Sequence, residues 1–264
     1  MDLNRARVTL RERALLDVLD LSLRFAATHA GPYARLSLAV LVPGFLASWA
    51  ATRLGGWWLA WTVALVLAAF ASAPYVALAS RLVFAERVAV REALSLALRA
   101  LPSLLGVRLL ELLALAASVA MSLLPWIWIG TVLLFVVEVV VLERPGVVAA
   151  MGRAQRVATT HFGAVMGAML LLTTVPVAAA LLADVAGREI LQSVLEIRPP
   201  PSMFRLGGSW LALAGFWGAV PLVATARFFV YLDVRTRSEG WDIQTRFAAL
   251  ASRGEGDGVA RRAA

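Results

Sequence analysis

The chain has 264 residues, 61% of them hydrophobic and only 16% charged, with a mean hydropathy of +0.79. Soluble domains carry about 25% charged residues, so a water-soluble globular domain is excluded. The net charge of +8 does not point to nucleic acid, because the basic residues fall between apolar runs and form no single patch. The absence of Cys excludes disulfides, thiolate nucleophiles and Cys-ligated metals.

A bilayer-crossing helix needs about 20 mainly apolar residues, and six stretches qualify. The segment from Met1 to Pro32 is studded with charge, so no cleavable signal peptide is predicted there. The first span follows at Leu36 to Trp49, extendable to Tyr33 and Thr52, and the second runs from Trp57 to Ser80. An amphipathic, Arg-rich segment from Arg81 to Pro102 comes next. The third span is Ser103 to Leu123 and the fourth Trp126 to Leu142. A second Arg-rich segment, Glu143 to His161, precedes the fifth span at Phe162 to Ala183. The sixth is Gly208 to Leu232, after a loop from Asp184 to Gly207. The fold class is therefore an all-α membrane protein with six transmembrane helices in three hairpins. Each hairpin is preceded by an amphipathic interfacial helix on the cytoplasmic side. Residues 1–252 form one integral membrane domain, and 253–264 read as a disordered tail.

Every one of the 25 basic residues is Arg. Four lie on one side of the predicted spans (Arg53, Arg188, Arg198 and Arg205), two lie within spans (Arg108 and Arg227), and the remaining 19 lie on the other side. Cytoplasmic loops retain basic residues, so both termini are placed in the cytoplasm of a bacterial inner membrane. Trp57, Trp58, Trp126, Trp128 and Trp210 fall near the outer span ends, where amphipathic rings prefer to sit.

The Arg-rich segments share a pattern. Arg24 is followed by Gly31, Arg99 by Gly106 and Arg156 by Gly163. Aligned on these, Glu86-Arg87 falls on Glu143-Arg144, and His29 and His161 share a column. Such self-similarity marks repeated units, here 8–80, 86–142 and 143–232.

Charge inside apolar spans is the unusual chemistry. Arg108 and Glu111 lie in the third span, Glu138 in the fourth and Arg227 in the sixth. Each costs on the order of 3 kcal/mol at mid-bilayer, so each needs a partner. Arg108 and Glu111 are spaced to share a helix face. The four form either a polar cavity open to the cytoplasm or a salt-bridged bundle core. Pro43, Pro74, Pro176 and Pro221 lie within spans, and broken helices build some transporter sites. Gly163 and Gly167 make a GxxxG spacing that permits close helix contact. No nucleophile motif, phosphate loop, dinucleotide fingerprint or metal-ligand spacing is present. The chain reads as neither an enzyme nor a cofactor- or metal-binding protein.

The stretch Tyr231-Leu232-Asp233-Val234-Arg235-Thr236-Arg237-Ser238-Glu239-Gly240-Trp241-Asp242 closes the last span. Here Tyr231 is placed at the inner interface, Asp233 is set to pair with Arg235 or Arg237, and Gly240 turns a short terminal interfacial helix back onto the membrane. This signature, with Glu143-Arg144-Pro145-Gly146, Arg153, Arg156 and Phe162-Gly163, resembles a bacterial multispan family that includes the membrane domain of some glycerophosphodiester phosphodiesterases. The resemblance implies the six-span fold and transfers no catalytic residue, because the phosphodiesterase barrel has no counterpart here. The expected role is a scaffold, assembly factor or accessory membrane subunit. Its partners are membrane lipids and possibly another membrane protein, with no nucleic acid. The alternative is a transporter or channel for a small solute or lipid.

Overall fold

In a computed structural model of the chain, residues 15–83, 85, 88–120 and 124–238 are described, and among them the regular structure is helical, with no strand. The elements in order are α1 (Leu15–Thr28), α2 (Ala30–Leu82), α3 (Val90–Ala120), α4 (Leu124–Val132), α5 (Val136–Glu143), α6 (Val147–Thr160), α7 (Phe162–Glu189), α8 (Met203–Leu206) and α9 (Trp210–Ser238). Among the described residues, five stretches are long and apolar enough to cross a membrane: Ala30–Leu82, Val90–Ala114, Pro125–Glu143, Phe162–Val194 and Trp210–Ser238.

The first of these is not a rod. A straight helix of 53 residues would be about 80 Å long at 1.5 Å per residue, while the bilayer core is about 30 Å thick. Gly55 (φ −146°, ψ 17°) and Gly56 (φ 72°, ψ −164°) leave the helical region. The positive φ at Gly56 is one that a side chain would oppose. Across this break the element folds back on itself. The hydroxyls of Ser37 and Tyr75 lie 3.0 Å apart, and the rings of Tyr33 and Tyr75 stack at 6.2 Å.

Three expectations change. The Arg81 to Pro102 segment does not form a separate interfacial helix, because α3 starts at Val90 and runs through Pro102 into the apolar stretch. Its Ala93, Ala97 and Ala100 stripe packs inward. The predicted fourth span is two short helices, with a tight turn at 133–135 closed by Val136 N–H donating to Leu133 O (3.0 Å). The predicted loop after Ala183 starts later, since α7 continues to Glu189 and passes into a wide π-type turn, Ile190–Val194.

The two His junctions behave alike. The chain leaves helical geometry at His29 (φ −107°, ψ 33°) and at His161 (φ −132°, ψ 50°), so α1 and α6 each meet the next helix at a bend. Leu104 holds the corresponding column of the middle segment, and there the helix is unbroken and the side chain buried.

Helix α9 is central. It packs along α7 and α2, with α1 across its last turns. α7 and α9 approach closely at Gly215, where a Cβ would collide with the Ala179 backbone carbonyl. By contrast, a Cβ on Gly163 or Gly167 meets nothing within 4 Å. Among the described residues the GxxxG spacing makes no close helix contact, whereas Gly215 meets a neighbouring helix backbone. Exposed leucines such as Leu98, Leu105, Leu109 and Leu112 cover α3, which gives the apolar outer surface of a helical membrane protein.

Candidate functional site

The four intramembrane charges are joined in one chain of contacts. Glu138 on α5 is fully buried. Arg227 on α9 donates from Nε to Glu138 Oε1 at 2.6 Å and from Nη2 to Ser72 Oγ at 3.2 Å. Ser72, on the second arm of α2, donates to the Ala69 carbonyl at 3.0 Å. That carbonyl also accepts from Arg108 Nη2 at 3.1 Å, and Arg108 Nη1 donates to Glu111 Oε2 at 2.5 Å. Two ion pairs on α3, α5 and α9 thus share one anchor on α2. Burying an ion pair stabilises little by itself, since desolvation offsets much of the attraction. Of the two pairs, Arg227–Glu138 crosses between helices, from α9 to α5. Glu138 Oε2 and Arg108 Nε have no hydrogen-bond partner among the described residues.

The residues that close the last helix build a second cluster. Tyr231, expected at the inner interface, is fully buried among the helices. Its hydroxyl donates to Glu143 Oε1 at 2.9 Å and accepts from Arg235 Nη1 at 3.1 Å. Arg235 also lies 3.2 Å from Glu143 Oε1, and Arg153 of α6 reaches Glu143 Oε2 at 3.4 Å. Asp233 pairs with Arg237 at 2.7 Å, one helical turn on. Glu143 therefore ties α5, α6 and α9 together. The signature residues Glu239, Gly240 and Asp242 lie outside the described residues, as does the terminal interfacial helix expected after Gly240.

A third polar site stands at the opposite end of the bundle, and sequence reasoning missed it. Asp184 on α7 is buried. Its Oδ1 accepts from the Ser209 hydroxyl, and its Oδ2 accepts from Ser202 Oγ at 3.3 Å and from the Met203 N–H at 3.2 Å. Ser209 also caps α9 by accepting from the Ala212 N–H at 3.0 Å. Arg188 donates to the Pro200 carbonyl, and Trp61 Nε1 donates to the Gly207 carbonyl at 2.9 Å. The loop is thereby fastened to α7, α9 and the second arm of α2. An Asp next to a predicted span end reads as an ordinary loop residue. The weak signal was its spacing from two serines that flank the next helices.

Two cavities among the described residues lie apart from the four intramembrane charges. One, of about 410 Å³, is apolar and lies between the arms of α2, α3 and Trp217. The other, of about 190 Å³, lies among α1, α7 and α9 and includes Asp233 and Arg237. Arg108, Glu111, Glu138 and Arg227 line neither.

Fold and surface together define a helical membrane protein. Comparison with family models, with curated proteins and with solved structures finds no match.

Proposed function

We propose that the chain is a non-catalytic membrane scaffold, assembly factor or accessory subunit of a bacterial inner membrane. In this reading it crosses six times in three hairpins with both ends in the cytoplasm. Six crossings follow if the two arms of α2 on either side of Gly55–Gly56 each span the bilayer, and the asymmetric distribution of Arg supports the orientation. The resemblance to the membrane domain of some glycerophosphodiester phosphodiesterases is consistent with this architecture. The observation that carries the functional reading is the use of the four intramembrane charges against one another. Arg227–Glu138 joins α9 to α5, the Arg108–Glu111 pair of α3 is tied to α2 through the Ala69 carbonyl, and none of the four lines either of the two cavities described.

A second reading, a transporter or channel working through this charged cluster, draws on the unpartnered Glu138 Oε2 and Arg108 Nε. Buried polar atoms without partners are rare in folded proteins and are found where an ion or water is handled.

Purification in a mild detergent, followed by mass spectrometry of co-purifying proteins, tests the first reading. A stoichiometric membrane-protein partner is the expected result. A partner-free protein that supports solute flux in vesicles, with flux lost in a folded Arg227→Leu/Glu138→Leu variant, overturns it. For the topology, Leu54→Cys and Pro200→Cys should react with an impermeant thiol reagent on intact spheroplasts. Labelling of Ser252→Cys under the same conditions contradicts the proposed orientation.

A further inference from the structure

The loop after α7 is fastened to the bundle, yet its apolar side chains are left uncovered. Asp184 holds the Ser202 and Ser209 hydroxyls and the Met203 N–H, and Arg188 holds the Pro200 carbonyl. The Ile197 N–H donates to the Leu191 carbonyl at 2.8 Å and closes the turn. With the backbone held in this way, Val194 is 70% exposed and Phe204 74%, and Ile190, Leu195, Ile197 and Leu206 are each more than half exposed. Proteins in water rarely show large apolar patches, and where they do the patch marks a protein or membrane contact.

Length says where this surface lies. From Phe162 to Val194 the helix and its π-type turn run 33 residues, about 50 Å at 1.5 Å per residue. The hydrocarbon core is about 30 Å thick, and the bilayer with its headgroups about 40–45 Å. Fitting the whole length into the core by tilt alone needs about 50°, beyond the usual range of roughly 0–40°. The far end of the element therefore reaches the headgroup layer. Its exposed stripe stays apolar on the way, since Val177, Leu182 and Val185 are followed by Ile190 and Val194. Charge bounds the depth from the other side. Glu189, Glu196, Arg198 and Arg205 are exposed in the same stretch, and each is costly to place in hydrocarbon. Apolar side chains that avoid water, beside charges that avoid hydrocarbon, fit the layer between. Tryptophan flanks the loop at the same level. Trp61 donates to the Gly207 carbonyl, and the exposed Trp210 opens α9; such rings collect at the membrane interface.

We propose that residues 190–206 form an interfacial anchor, in which Ile190, Val194, Ile197 and Phe204 enter the headgroup and upper acyl layer of the adjoining leaflet and Arg198 and Arg205 meet lipid phosphates. The occupant of this surface is phospholipid and not a second protein. The apolar stripe is continuous with the lipid-facing side of α7, and Ile197 and Phe204 are each followed directly by an exposed arginine, whose guanidinium suits a phosphate. The Asp184 clasp then has a use, because it fixes α8, and with it Phe204, at one height. The inference rests on α7 crossing a bilayer. It is independent of the scaffold reading and of which end faces the cytoplasm.

The chain has no Cys, so single spin labels can be placed without other changes. The test is EPR power saturation of the full chain in vesicles of phosphatidylethanolamine and phosphatidylglycerol. It compares collisions of each label with oxygen, which concentrates in lipid, and with a water-soluble nickel chelate. Val177→Cys, on the exposed stripe of α7, is the lipid reference. Labels at Val194→Cys and Phe204→Cys should favour oxygen, with ratios between that of Val177→Cys and that of a free label in water. Adding Arg198→Glu and Arg205→Glu, which reverses the charge facing the phosphates, should move the Phe204→Cys label toward the water value; no movement overturns the phosphate contact. A water-like ratio at Val194→Cys or Phe204→Cys, with Val177→Cys in lipid, overturns the anchor alone. A water-like ratio at Val177→Cys overturns the reading of α7 as a span, and the anchor with it. Labels shielded from both reagents would mean that protein covers the surface, and would overturn the lipid assignment.

Discussion

Glu138 and Asp184 are both buried carboxylates in apolar helices, and they are satisfied by opposite means. Glu138 faces a full positive charge, Arg227, 89 residues away in sequence, and its second oxygen has no partner among the described residues. Asp184 faces neutral donors, two serine hydroxyls and one backbone N–H, all within 25 residues. The first contact decides which helices assemble. The second decides how one loop is held at the end of one helix. A charge pair in a low-dielectric interior acts at long range in sequence because each member is too costly to bury without the other. A carboxylate held by neutral donors is a local clasp.

The largest expected effect comes from stranding Glu138. Arg227→Leu leaves a buried carboxylate without its counter-charge, which costs about 3–5 kcal/mol. The variant is expected to lose most of its thermal stability in detergent, with aggregation visible by size-exclusion chromatography. Arg227→Leu combined with Glu138→Leu should recover most of that loss, since a hydrophobic replacement of a whole buried pair is often neutral. If the single variant is as stable as the double, the pair is not what joins α5 to α9.

Isosteric neutralisation sharpens the contrast. Glu138→Gln keeps the shape but leaves the Arg227 guanidinium unpaired, and a cost of about 3 kcal/mol follows. Asp184→Asn keeps one acceptor for donors that carry no charge, so about 1 kcal/mol is expected. Chemical denaturation monitored by circular dichroism reads both. Equal losses would mean that Asp184 is a charge site like Glu138, and the distinction drawn here would fail.

Packing around the central helix offers a third comparison of intermediate size. Gly215→Val drives a side chain into the Ala179 carbonyl of α7 and should cost about 1–3 kcal/mol, the usual range for overpacking. Gly163→Val should leave stability unchanged or raise it by a few tenths of a kcal/mol, because open space surrounds it and Val is the better helix former. A reversed order, read from the two melting temperatures, would restore the GxxxG spacing as the helix contact.

Some of this was legible in the sequence and some was not, for definite reasons. Charged residues in apolar runs are visible because they break the dominant signal. Hence Arg108, Glu111, Glu138 and Arg227 were found, and the i,i+3 spacing fixed the first pair. The Arg227–Glu138 partnership needed the fold, since nothing in a sequence relates positions 89 residues apart. Ser72 was hidden because a single hydroxyl barely alters the hydropathy of a long run. The turn at 133–135 was hidden for the converse reason. Its residues, Leu133, Leu134 and Phe135, are apolar, so the break leaves no mark in composition. The burial of Tyr231 was not legible, because a Tyr near a span end gives no sign of its polar partners. Here Glu143 and Arg235 surround its hydroxyl and allow full burial. Asp184 was hidden by its position, at a boundary where charge is expected.

The smallest expected effects come from the two serines, one in each site. Ser72 bridges Arg227 and the Ala69 carbonyl, and Ser202 donates to Asp184 while capping α8 by accepting from the Phe204 N–H at 3.4 Å. Each alanine substitution removes a hydroxyl that serves two contacts, and each should cost about 1 kcal/mol. The losses should be distributed differently. In Ser72→Ala the Arg227 guanidinium loses a partner at the junction of α2, α5 and α9, so unfolding of the whole bundle should shift. Amide exchange in α9 should then rise together with that in the second arm of α2. In Ser202→Ala the lost contacts lie within a loop clamped at several other points. Exchange should rise for the amides of Met203 to Leu206 while the global melting temperature stays within about a degree of the parent, as expected when opening is local. Hydrogen exchange with mass spectrometry distinguishes the patterns. A global shift from Ser202→Ala would show that the Asp184 clasp is coupled to the helix core and is not a local fastening.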